Sequence, residues 1–87
     1  MAYRKTPAEV RRLEAAREHL VVRATEVVAE AGWAQASVSA VADAAGIAAG
    51  SVYQHFPSKS ALAVEVFRRA ARREVEVLGE VLALSLI

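Results

Sequence analysis

The sequence has no cysteine, and that absence removes disulfides, thiol nucleophiles and thiolate metal sites together. Its two histidines, His19 and His55, are far apart and form no ligand cluster. No run approaches the roughly 18 apolar residues of a membrane span. No apolar stretch follows the basic N-terminal residues, so a secretory signal is not expected and the chain is placed in the cytoplasm. Aromatic residues are few, 6% of the total. No nucleophile, base and orienting group converge in the pattern, and no carboxylate pair stands out, so an enzyme is not expected. No cofactor is implied.

What is present is aliphatic. Hydrophobic residues make up 55% of 87, above the usual globular share, so disorder is not expected and one modest core is. Net charge is only +1, but its distribution is uneven. Residues 1–30 hold six Arg and Lys against five Glu, residues 63–87 hold four against four, and residues 31–62 hold only Lys59 and Asp43. A partner of that middle segment would meet hydroxyls, dipoles and shape more than bulk charge.

The apolar periodicity predicts four helices and no strand. Leu13, Leu20, Ala24, Val27, Val28 and Ala31 recur at helical spacing; Thr6 can cap the helix, Pro7 suits its first turn, and Gly32 closes it near 31. Trp33 then reads as a core plug. Ser37 caps a short helix with Val38, Val41, Ala42 and Ala45 on one face, and Gly46 stops it in the left-handed conformation. Ile47 is expected in the core. "AAGSVYQHF" starts a third helix with Val52 and Phe56 inward, Pro57 ends it, and Ser58 caps a fourth from 59 almost to the end. Arg68, Arg69, Arg72 and Arg73 read as a solvated face paired with Glu65, Glu74 and Glu76, and His19 as an ordinary surface residue.

Two short helices joined through a glycine, with a small residue four before it, have helix-turn-helix spacing. The fold class expected is therefore all-α: a three-helix DNA-binding domain with a longer fourth helix. With Val52 and Phe56 buried, Ser51, Tyr53, Gln54 and His55 occupy the exposed arc of the third helix and its borders. Such a helix enters a major groove by its N-terminal end, which sets Tyr53 and His55 toward the phosphate walls. Lys59 stands at a helix start, where free N–H groups already favour an anion. The segment "YRKTPAEVRR" reads either as an arm reaching DNA or as a plain tail.

Residues 32–62, "GWAQASVSAVADAAGIAAGSVYQHFPSKSAL", together with "LVVRATEVVAEAG" before them, resemble the N-terminal domain of TetR-type transcriptional repressors. The spacing of Tyr53, Phe56, Lys59 and Leu62 is the specific part, and the likeness covers roughly residues 12–70. The resemblance implies a bacterial, nucleoid-associated homodimer that binds a palindromic double-stranded operator. It implies phosphate contacts at Ser37, Tyr53, His55 and Lys59, and base or nearby backbone contacts at Ser39, Ala49, Ser51 and Gln54. A reading helix of about 48–54 would offer bases only methyls and backbone at Ala48, Ala49 and Gly50.

The sequence departs from the family at Ser39 and Ala49, where basic or polar residues are common, and at Ala48, where Ser or Thr often caps the reading helix. The family also carries an effector-binding, dimerising domain after its fourth helix. The expected organisation is a basic arm at 1–8, the helix-turn-helix domain at 9–58, and at 59–87 a fourth helix beginning a regulatory domain that is missing or truncated, with no effector site in the chain. The apolar tail "EVLGEVLALSLI" is expected to pair with a second copy. The weak charge of residues 31–62 supports an alternative, a helical protein–protein interaction module that keeps the same fold.

Overall fold

A computed structural model describes residues 5–86. Among them the chain is all-α: α1 Pro7–Ala31, a single 3₁₀ turn Trp33–Gln35, α2 Val38–Ala45, α3 Ala49–His55 and α4 Lys59–Ser85. Residues 1–4 of the expected arm lie outside the described residues, and Pro7 and Ala8 belong to α1 rather than to an arm.

Local chemistry sets most of the boundaries. Thr6 accepts from the Glu9 N–H at 3.1 Å, Ser37 from Ala40 at 3.0 Å and Ser58 from Ala61 at 3.1 Å. Each hydroxyl satisfies one of the N–H groups that a helix start leaves unpaired. At the end of α2, Gly46 takes φ 72° and ψ 30°. Its N–H reaches Asp43 O at 3.2 Å and the Ile47 N–H reaches Ala42 O at 3.0 Å, a Schellman closure. A Cβ on Gly46 would meet nothing within 4 Å, so the backbone angle, not space, calls for glycine.

The core gathers Leu20, Val21 and Ala24 of α1, Val38, Val41 and Ala42 of α2, Val52 and Phe56 from α3 and its C-cap, and Leu62 and Val66 of α4. α1 packs on α2 and α4, and α2 packs on α3. Phe56, 2% exposed, is the largest side chain in this core. Arg17 lies over the Phe56 ring at 4.6 Å from its centroid and pairs with Glu65 at 3.7 Å, so one side chain of α1 spans the α3 end and α4. At this exposure the ring contact adds about 0.5–1 kcal/mol and the ion pair about 0.2–1 kcal/mol.

Three large apolar side chains fall short of the burial expected of them. Trp33 is 37% exposed, Ile47 37% and Leu13 39%. Phe56, Leu20, Leu62, Val41 and Val52 already fill the space between the helices, and the 3₁₀ turn leaves Trp33 at the surface beside α4. Ile47 closes the Schellman turn with its backbone, which holds it at the rim. Leu13 precedes the first core position of α1 by two turns.

α4 outruns the core. Its buried residues end at Val66, although the helix continues to Ser85. The radius of gyration is 16.1 Å, against about 12 Å for a compact chain of this length. The arginine run behaves only in part as expected. Arg68 pairs with Glu65 on α4 at 2.8 Å, but Arg69 reaches across to Glu18 of α1. Among the described residues no ion pair joins Arg72 or Arg73 to Glu74 or Glu76.

Phe56→Ala should cost about 3–5 kcal/mol, much of the roughly 4–13 kcal/mol available to a domain of this size. Circular dichroism during a urea titration should show the cooperative transition lost or moved close to zero denaturant. A transition within about 1 kcal/mol of the parent would contradict this packing.

Candidate nucleic-acid interface

α3 has only seven residues, and the rotation of about 100° per residue sorts them. Val52 and Phe56 face inward, and Ala49 packs against the same core. Gly50 and Gln54, one turn apart, therefore stand on the opposite side. Tyr53 borders that outward arc on one flank, and Ser51 and His55 border it on the other. The exposures agree: Tyr53 is 52% exposed, Gln54 and Gly50 are exposed, and Ser51 and His55 are half-buried.

Ser37 and Ser39, at the start of α2, are exposed as well. Ser37 Oγ already accepts a cap hydrogen bond, but a hydroxyl still has its own hydrogen to donate. Of the residues assigned from sequence to the reading surface, Ala49 is turned toward the core. Ala48 is the N-cap of α3 rather than its first residue, so the helix runs Ala49–His55 instead of about 48–54. Gly50 has open space where a Cβ would be. Among the described residues no contact demands glycine there.

Lys59 opens α4 and is half-buried. Its Nζ donates to the Trp33 carbonyl oxygen at 3.0 Å and sits 4.5 Å from the centroid of the Trp33 ring. That ring meets Phe67 at 5.9 Å between centroids, tilted by 46°. Trp33 is a neighbour of the site that sequence reasoning assigned to the core. The separation of 26 residues from Lys59 leaves no local signal. Lys5, Leu13, Glu14, Arg17, Gln54 and His55 line a shallow groove of about 330 Å³ between the start of α1 and the end of α3. Lys5 and Arg17 thus bring two cations to the groove beside His55, with Glu14 on the same lining.

A helix-turn-helix with its second helix exposed on this arc is a shape found in many regulators, and the comparison with known proteins decides among them. Residues 20–66 match the family described as bacterial regulatory proteins, tetR family. The chain belongs to the tetR family. That span runs from the first buried residue of α1, Leu20, to the last buried residue of α4, Val66, so the family pattern coincides with the core. A curated relative, the fatty acid metabolism regulator protein of Bacillus subtilis (strain 168), is 33% identical over 61 residues. The match covers 70% of this chain and 31% of the relative, so the chain spans about a third of that protein's length. No solved structure matches.

As a tetR-family domain the chain is a helical module of the kind found in bacterial regulatory proteins. Among the described residues no group of three or more His, Asp or Glu could hold a metal ion, and no helix is long and apolar enough to cross a membrane. The start of α3 departs from the other helices in one respect. Ala48 has the extended backbone of an N-cap, φ −74° and ψ 149°, but no side-chain acceptor.

Ala48→Ser should therefore stabilise the domain by about 1 kcal/mol, because the backbone is already set for a cap. The urea midpoint should rise with an unchanged slope. A midpoint equal to or below that of the parent would show that the hydroxyl finds no N–H of α3.

Proposed function

We propose that the chain is the sequence-specific DNA-binding domain of a transcriptional repressor, working at the bacterial nucleoid on double-stranded DNA. The observation that carries this reading is the outward arc of α3. Gly50 and Gln54 point away from the core, Tyr53 and His55 stand on opposite borders, and among the described residues no contact requires Gly50 to lack a side chain. A bare, uncapped helix start lets DNA approach the backbone closely. In this reading Gln54, Ser51 and Ser39 read base edges, with Ala48 and Gly50 giving close approach and Ala49 holding the helix to its core. Ser37, Tyr53, His55 and Lys59 bond phosphates.

Tyr53→Phe and Lys59→Ala should weaken binding about equally on every duplex, since phosphate contacts position without specifying. Gln54→Ala should instead change the preferred sequence, because an amide can pair bidentately with adenine at about 1–3 kcal/mol of discrimination. A mobility-shift titration over a randomised duplex pool at two salt concentrations measures both effects. Affinity that is absent at low salt would favour the alternative, an interaction module, for which the exposed α4 is the supporting feature.

The palindromic operator implied by this reading needs a two-fold partner. Leu78, Val81 and Leu82 are 61%, 53% and 63% exposed on adjoining turns of α4. Burying each is worth roughly 1.5–3 kcal/mol. A homodimer joined along this strip is therefore part of the proposal; Ile87 lies outside the described residues. Sedimentation should give a dimer or larger species for the intact chain, and a monomer after truncation at Glu74. A monomeric intact chain at high micromolar concentration would reject it.

A further inference from the structure

We infer that Trp33 is a positioning residue for Lys59, holding its ammonium for a DNA phosphate; the inference rests on the DNA-binding reading above. Two independent contacts converge on one nitrogen. The carbonyl oxygen of Trp33 accepts from Nζ at 3.0 Å, and the indole of the same residue lies 4.5 Å from it. One residue thus supplies both an acceptor and a π face. A lysine at a helix start is repelled by the positive end of the helix dipole, and its long side chain has several rotatable bonds to lose. The Trp33 cradle offsets the repulsion and fixes the side chain before any ligand arrives.

The ammonium has three donors and this contact uses one, so two remain for phosphate oxygens. The cradle itself is braced. Lys59, Ala63 and Phe67 recur every fourth residue along one face of α4, and the Trp33 ring touches Phe67 as well as Lys59. Ala63 between them is 9% exposed. An indole left 37% exposed despite its size is explained if its ring face serves the cation rather than the core. The 3₁₀ turn that carries Trp33 leads directly into Ser37, the cap of α2, so the same short segment bears on two of the proposed phosphate contacts.

Trp33→Leu keeps an apolar partner for Phe67 and removes the π face; Trp33→Phe keeps a weaker one. On random-sequence duplex at low salt, Trp33→Leu should lose roughly three- to tenfold in affinity and Trp33→Phe less. In a Lys59→Ala background Trp33→Leu should change affinity no further, because the lysine it positions is gone. An equal loss in both backgrounds would mean a general structural effect and would overturn the inference, as would no loss in the parent. A second measurement is independent of both DNA and folding of the variants. In proton NMR of the parent, the Lys59 ε-methylene protons should be shifted upfield by the indole ring current, and an ordinary shift would overturn the inference. A parent that binds no duplex at low salt would bring down the DNA-binding reading itself, whereas failure of the inference alone leaves parental binding intact.

Discussion

The burial of Val52 and Phe56 is the constraint on which the arrangement of the interface depends. A helix of seven residues is well below the roughly 12–15 that stand alone in water, and α3 also lacks a side-chain cap at its start. Its existence and its direction therefore come from packing. Two inward side chains one turn apart fix its rotation about its own axis, and that rotation places Gly50 and Gln54 outward. Arg17 covers the Phe56 ring and is tied to Glu65, so α1 and α4 both hold the end of the helix. Any change that frees Phe56 would disorder the outward residues before altering their chemistry.

α4 divides into two parts with different physical roles. Its first two turns complete the core through Leu62, Ala63 and Val66, and the rest carries no buried residue. Between that second part and α1 lies an open groove of about 1100 Å³ lined by both charged and apolar residues, Glu18, Arg69 and Leu78 among them. The Nε of Arg69 is buried there without a hydrogen-bond partner, although its guanidinium meets Glu18. The buried core thus lies within residues 20–66, and the overhang of α4 adds apolar surface without adding to it.

Much of this was legible in the sequence wherever the chemistry is local. Thr6, Ser37 and Ser58 were readable as caps because a hydroxyl before an apolar-periodic run has few other uses, and all three accept the expected N–H. Gly46 and the Val52–Phe56 pair were readable from spacing alone. Trp33, Ile47 and Leu13 were not, because hydrophobicity states what a side chain gains from burial and not whether room remains. The outward set on α3 was legible, but Ala49 was not separable from it without the helix's rotation. The links from Lys59 to Trp33 and from Arg69 to Glu18 join residues 26 and 51 apart, and no local pattern encodes them.

The scarcity of charge between residues 31 and 62 connects the two ends of the molecule. Each phosphate neutralised by a cation contributes about 0.9 to the salt slope of binding to duplex DNA, and this segment offers only Lys59 against Asp43. On the proposed reading one domain alone would hold DNA weakly, through hydroxyls, an amide, an imidazole and one positioned ammonium. Pairing two domains converts the second engagement into an intramolecular one, which can raise avidity by about 10²–10⁴ without a new contact. On the same reading the apolar strip of α4 and the nearly uncharged outer face of α3 belong to one design: affinity would come from pairing, and the few cations of each copy must be well placed because they are few.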